Sequence, residues 1–468
     1  MTEELSPADR SSLAAEHGPV NMSVGGLLLF AGEPRLTRAM VAERLAERIH
    51  LIPRLRQRLE EPPLGLANPV WTDDTGFDLD WHVRQAGLPA PGGESELGAL
   101  VGREFSHRLD RSRPLWEATV IEGLADGRQA LLMKVHHAVV DGMAAIGLAA
   151  LVLDPTPEPL EIPPEQGDWA PRPYDLRRHA ARLASRPLAL APRLMLDGMQ
   201  RALTPDPRRA AGEMRRATEV ALELARTRPN APMTPLNRSI SPNRRFAMAT
   251  GDLAAVKRAS KAVGATVNDG LLAVVAGAIG HYLDAAGPPA GSGTRRPVAL
   301  VPVSVRPSGP AQGETGNRIS TVFVDLPVGE PELAARIEAV AAQTRQLKES
   351  AAVRAGAMMV GASGFAPPLV SGLLARTMGT VRAFNLVVSN IPGPQQPFYL
   401  SGVRMLGVHP IVPLNPANQG LTVGIISYDG RLCFGLLADR DLDPPLAIAA
   451  EGLRAELSRL ERSDANLS

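Results

Sequence analysis

Apolar positions along this chain recur at spacings of two in some stretches and of three to four in others, and the alternation marks out strands and helices. "VGGLLLFAG" (24–32) is a short apolar run between glycines, which predicts a strand. In "LTRAMVAERLAERIHLIPRLRQRL" (36–59), Met40, Val41, Leu45 and Ile49 fall on one helical face. Thr37 is a suitable N-cap there, and the helix is expected to run to about His50 before Pro53 stops it. "EATVIEGL" (117–124) and "QALLMKVHH" (129–137) flank an Asp-Gly turn and predict a hairpin. "DGMAAIGLAALVLD" (141–154) reads as a helix.

The pattern then changes. Residues 155–173 are proline-rich and extended, 172–228 are helical in character but broken by Pro187, Pro192, Pro205 and Pro207, and 228–245 are again proline-rich. Beyond them the mixed pattern returns. A helix over 251–264 stops at Gly264, and a second opens at Thr266 with Asp269 three residues on, a capping pattern. Strand-like runs follow at 296–307, 318–329, 383–394 and 419–439, the last folded on itself at Tyr428-Asp429-Gly430-Arg431. The chain is therefore read as α/β: an N-terminal domain over 1–170, a Pro/Arg-rich helical linker over 171–245, and a C-terminal domain over 246–468, the two domains being α/β sandwiches of similar size.

Composition narrows the class. With 468 residues, 44% hydrophobic and 21% charged, the chain can bury a large core. A net charge of +1 offers no global attraction to nucleic acid. The one cysteine, Cys433, stands in apolar "RLCFGLL", reads as a small buried hydrophobe and excludes an internal disulfide, as in a reducing interior. The acidic start "MTEELSPADR" lacks a signal-peptide pattern, and apolar windows such as "LLAVVAGAIG" (271–280) fall short of a membrane span, which needs ~20 residues. A cytoplasmic protein is expected, with any membrane contact peripheral. Residues 172–228 hold 13 Arg against six Asp and Glu, which suits either a solvated connector or a basic surface resting on anionic lipid.

The chemistry concentrates in "KVHHAVVDG" (134–142). On a strand, neighbours face opposite ways, so His136 and His137 cannot share one role. One suits a general base, since imidazole titrates near neutral pH, and the other suits support of the backbone. Asp141 would begin the next helix, where a carboxylate complements the dipole, and Gly142 permits a tight turn. The same residues would also allow a metal site or a pair of histidines satisfied in a core. A metal site is disfavoured by the opposed faces and by the lack of further His or Cys nearby.

His-His-x-x-x-Asp-Gly resembles the active-site signature of the chloramphenicol acetyltransferase-like superfamily. "LSPADR" (5–10), "RSRPLWEATVIEGL" (111–124), "TVNDGLLA" (266–273), "PVSVRP" (302–307), "GNRIS" (316–320) and "NLVVSNIPGP" (385–394) recur in family order, to about residue 443, and narrow the resemblance to the bacterial wax ester synthase/diacylglycerol acyltransferase family. The resemblance implies two chloramphenicol acetyltransferase-like domains in a pseudo-dimer, with the active site at their interface. It implies transfer of a long-chain acyl group from acyl-CoA, as co-substrate, to a diacylglycerol or fatty alcohol, with no bound cofactor, no metal and no acylated side chain. His137 would be the general base and His136 its support. Asp141, with Gly142, would be a structural carboxylate paired with an arginine, for which Arg56 in "PRLRQRL" is the candidate.

Asn268 would orient the substrate or the oxyanion, or merely cap its helix. Pro114, Leu115 and Trp116 would shape the hairpin and acyl pocket. Ser389 and Asn390 would line a CoA channel or form a crossover loop. The expected location is cytoplasmic, at the inner membrane or lipid-droplet surface. A carrier-dependent condensation-type acyltransferase and a non-catalytic lipid-droplet protein are the alternatives. One segment departs from the family pattern: "RSSLAAEHGPVNMSV" (10–24) is more polar than its counterparts.

Overall fold

The computed structural model describes residues 3–61, 69–139, 151–165, 167, 169–175, 231–287, 296–305, 318–349, 383–414 and 418–465. In chain order the first half gives β1 (Glu3–Glu4), α1 (Pro7–Ala15), β2 (Ser23–Phe30), α2 (Arg38–Arg48), β3 (Gln57–Glu60), β4 (Val70–Asp73), α3 (Leu79–His82), β5 (Val83–Gly87), α4 (Glu94–Ser106), β6 (Trp116–Glu122) and β7 (Gln129–His136). The second half gives β8 (Arg244–Asp252), α5 (Leu253–Ala262), α6 (Val267–Ala285), β9 (Val298–Val305), β10 (Arg318–Asp325), α7 (Leu333–Glu349), β11 (Leu386–Pro392), β12 (Tyr399–Leu400), β13 (Val403–Ile411), β14 (Leu421–Tyr428), β15 (Arg431–Asp439) and α8 (Leu446–Ala465).

Local signals account for the best-matched elements. Thr37 caps α2 as expected, its hydroxyl accepting the Met40 N–H, and the chain leaves the helix through short 3-10 turns at Ile49–Leu51 and Pro53–Arg56. The hairpin β6–β7 pairs Trp116 with Val135 in antiparallel register. Thr266 and Asp269 form a reciprocal capping box at the start of α6. The second hairpin, β14–β15, closes at Tyr428 and Arg431, with Asp429 (φ 46) and Gly430 (φ 75) in the left-handed region that such a turn demands.

Two six-stranded sheets carry the fold, ordered β12-β13-β2-β7-β6-β5 and β10-β9-β11-β14-β15-β8, beside a small sheet β1-β4-β3. The sheets do not follow the division read from the sequence at residue 246, because β12 and β13 come from the C-terminal half and complete the N-terminal sheet. There β13 pairs with β2 from Met405↔Phe30 to Ile411↔Gly25. The core of the second sheet is α6, with Leu271, Val274, Val275, Ile279 and Tyr282 buried among strand and α8 residues. Helix α2 covers one face of the N-terminal sheet through Val41 and Leu45. Helix α4 covers the other and packs with Phe246 and Met248 of β8. Residues 141–150 of the helix predicted over 141–154, and most of the linker over 171–245, lie outside the described residues.

Candidate active site

The site begins where β7 ends. His136 is the last residue of the strand and His137 opens the turn beyond it. Four backbone hydrogen bonds hold this turn. His136 N–H donates to the Leu115 carbonyl at 3.0 Å, and His137 N–H to the Met22 carbonyl at 2.9 Å. Val139 N–H donates back to the His136 carbonyl at 2.9 Å, and Ala138 N–H donates to His136 Nδ1 at 3.0 Å.

The last bond separates the two histidines chemically. Because His136 Nδ1 accepts, its proton in the neutral ring sits on Nε2. That nitrogen is buried and lies 3.6 Å from Glu16 Oε1, beyond ordinary hydrogen-bond length, and has no other polar partner. The His136 side chain is 1% exposed, so it neither reaches solvent nor keeps a lone pair for a metal. His137 is half-buried.

Glu16 is the residue that sequence reasoning missed. It is the C-cap of α1 and its side chain is 1% exposed. Oε1 accepts the Met22 N–H at 3.0 Å and Oε2 accepts from Arg111 Nη2 at 3.0 Å. Burial pushes the carboxyl up, but His136, the Met22 amide and the Arg111 guanidinium outweigh it and hold the group at about 2. Asp9, in the reciprocal cap of α1 with Ser6, lies within electrostatic reach of Arg54 and His137. Burial raises its carboxyl against the pull of Ser6, Arg54 and His137.

Of Pro114, Leu115 and Trp116, Leu115 bonds to the same turn and Trp116 packs beside it. The Leu115 carbonyl holds His136, and the Trp116 indole N–H donates to the Leu55 carbonyl at 2.8 Å. The Trp116 ring stacks on His82 at 4.4 Å between centroids. Burial lowers His82 to about 4, against the upward pull of its bond to the Trp116 carbonyl, so the stack stays uncharged at neutral pH. Trp116 also lines a small apolar cavity with Leu45, Leu55, Met133, Val135 and Leu151.

Arg56 meets the proline-rich segment: its terminal nitrogens grip Glu165 at 2.7 and 2.8 Å, and Trp169 covers its guanidinium at 4.6 Å. It therefore ties that segment to the N-terminal half. Asp141 and Gly142 themselves lie outside the described residues.

The remaining candidates form a second group on the other sheet. Asn390 Nδ2 donates to Asn268 Oδ1 at 3.3 Å, so β11 and the first turn of α6 meet through two amides. Capping of α6 belongs to Thr266 and Asp269, and Asp269 also accepts from Thr344 at 2.7 Å. Asn268 is thus not the cap, and no hydrogen bond from its side-chain N–H groups is made among the described residues. Ser389, one position back on β11, leaves the opposite face of the strand.

Comparison with known proteins shows the family and the fold. The family model described as the wax ester synthase/diacylglycerol acyltransferase catalytic domain matches residues 5–271, and the WS/DGAT C-terminal domain matches 315–461. The chain belongs to the wax ester synthase/diacylglycerol acyltransferase family. A putative diacylglycerol O-acyltransferase of Mycobacterium tuberculosis is 37% identical over 398 residues, which are 82% of this chain and 78% of the relative. A second from the same organism is 33% identical over 475 residues, 98% and 99% of the two chains. Among solved structures, the wax ester synthase/diacylglycerol acyltransferase from Marinobacter aquaeolei aligns with a TM-score of 0.69 at 28% identity, covering 98% of this chain and 99% of that one. The starter condensation domain of rhizomide synthetase, in complex with C8-CoA and Leu-SNAC, aligns at 0.55 with 16% identity over 98% and 93% of the chains, a likeness of fold alone. This member of the family is an acyl-CoA-dependent acyltransferase with the α/β fold of the condensation-type enzymes.

Proposed function

We propose that the protein transfers a long-chain acyl group from acyl-CoA to the free hydroxyl of a diacylglycerol or a fatty alcohol, with His137 as general base. The observation that carries this reading is the division of labour at the end of β7. His136 is sealed and spent on the backbone, while His137 stands half-exposed on a turn held by hydrogen bonds around it. In the reaction, His137 takes the proton of the acceptor hydroxyl and the oxygen attacks the thioester carbonyl. The tetrahedral intermediate collapses with loss of the C–S bond, and the thiolate of CoA leaves with the proton from His137. The side-chain N–H of Asn268, whose Oδ1 is taken by Asn390, is the donor we assign to the substrate or the developing oxyanion. No protein nucleophile is acylated. Cys433, the one thiol, is 1% exposed in β15, with its thiol pushed up by burial.

The acceptor test sets reaction and substrate together. Purified protein with palmitoyl-CoA and either diolein or hexadecanol should give ester and stoichiometric free CoA. His137→Ala should fold normally and lose about 10²–10⁴-fold in turnover, the span of general-base catalysis. Undiminished turnover in that variant would refute the assignment. Ester from neither acceptor would favour a carrier-bound donor.

We also propose peripheral association with an anionic membrane or lipid-droplet surface in the cytoplasm. The arginine excess over 172–228 supports it. Flotation with anionic liposomes should recover the protein at low salt and less of it at high salt, and a protein that stays in the pellet fraction at low salt ends the idea.

A further inference from the structure

Two backbone N–H groups fix the turn that carries His137: its own, and that of Ala138. The first donates to the Met22 carbonyl at 2.9 Å, and the second to His136 Nδ1 at 3.0 Å. Both acceptors lead to one carboxylate. Glu16 Oε1 takes the N–H of Met22 at 3.0 Å and faces Nε2 of His136 at 3.6 Å. Glu16 and Met22 lie six residues apart, and both meet the distant end of β7 on folding, where β2 pairs with β7 from Ser23↔His136. Arg111, on a separate segment, closes the arrangement from the other oxygen at 3.0 Å.

We propose that Glu16 is a positioning residue for acyl transfer, one that holds the His137 turn by two routes: through the Met22 peptide, and through the imidazole of His136. This rests on the reading of His137 as the base. The second route sets a tautomer as well as a position. With the Glu16 carboxylate facing Nε2, the proton of His136 stays there and Nδ1 remains an acceptor for Ala138. Without it, His136 is free to carry the proton on Nδ1, where it meets the Ala138 N–H donor to donor and opens the turn. The base would then sit out of line with the acceptor hydroxyl. A displacement of ~1 Å is enough to cost on the order of 10²-fold in rate.

Three variants and one control test this. Glu16→Ala removes both routes and should lower kcat about 10²-fold, with the KM for palmitoyl-CoA within about twofold, because positioning acts on the chemical step. Glu16→Gln keeps an oxygen for Met22 and His136 and should recover most of the loss, to about fivefold below wild type, since a neutral acceptor replaces a charged one. Hydrogen exchange of the peptide spanning residues 134–139 should speed up in Glu16→Ala and stay close to wild type in Glu16→Gln.

A folded Glu16→Ala with wild-type kcat overturns the proposal, and so does a Glu16→Gln as slow as Glu16→Ala. Should Glu16→Ala fail to fold, Glu16→Asp decides. The carboxylate is then one methylene short of both contacts, and about a tenfold loss in kcat is expected, while full activity overturns the proposal. His137→Ala runs beside them. If it is inactive while Glu16→Ala is fully active, the base stands and the positioning role falls. If His137→Ala is fully active, the reading of the base falls first.

Discussion

Glu16 carries a consequence for folding as well as for catalysis. Its carboxyl, held at about 2 in the fold, lies near 4.5 in an unfolded chain. A depressed carboxyl stabilises the fold fully above its unfolded value and gives up that stability as the pH falls from about 4.5 through about 2. The whole of it is on the order of 3 kcal/mol at neutral pH. His82 and His409 act in an adjoining window. Both are buried and lowered by that burial to about 4, so the unfolded chain takes up their protons first as the pH drops below 6.5. Their effect is common to wild type and Glu16→Gln, and the difference between those proteins isolates Glu16. Stability of the two by chemical denaturation should be furthest apart at neutral pH and converge as the pH falls from about 4.5 towards about 2. Curves that stay parallel over that range would show that Glu16 is not held as an anion in the fold.

At the level of elements, what could be read from the sequence was what local chemistry decides. The hairpin β6–β7 announces itself by an Asp-Gly turn between two apolar runs, and α6 by Thr266 and Asp269 before a long apolar stretch. The histidine pair sits at the end of such a strand, so its location was also legible. Strand β13 was not. Its period-two pattern runs through Gly407, His409 and Pro410, all residues poor in strands, and the partner that stabilises it, β2, lies in the other half of the chain. Pro410 is tolerated because it lies beyond the reach of β12, which pairs only with Val403 and Arg404. Helix α1 did carry a readable signal, Ser6-x-x-Asp9, the same reciprocal cap that marked α6. The segment after it was noticed only as a departure from the family pattern. Glu16 within it could not be recognised, because Met22, His136 and Arg111 become its neighbours only on folding. The contact of Arg56 with Glu165 was not legible either, because the proline-rich segment comes to lie against it only on folding.

The molecule as a whole depends on how closely its two sheets approach, and glycines set that distance. A Cβ on Gly435 of β15 would lie 1.9 Å from the Pro410 carbonyl oxygen of β13, a strand of the other sheet. On α4, Cβ atoms at Gly98 and Gly102 would lie 2.5 and 2.6 Å from the Phe246 and Arg244 carbonyls of β8. These are contacts with backbone, which cannot swing aside as a side chain can. Gly435→Ala must therefore push β15 and β13 apart, at a cost of about 1–3 kcal/mol, the usual range for an overpacked interior. With His137 on one sheet and the Asn268–Asn390 pair on the other, such a displacement also spreads the two groups we propose to act on one substrate. Turnover should then fall further than the loss of folded protein explains. Gly127→Ala supplies the contrast. That residue also sits at positive φ, 75°, at the tip of the β6–β7 hairpin, but nothing lies within 4 Å of the added carbon. It should lose about 1 kcal/mol to backbone strain and keep its turnover per folded molecule. Thermal denaturation and single-turnover rates on both variants separate the cases. Equal turnover in the two would mean that the spacing of the sheets does not govern the chemistry.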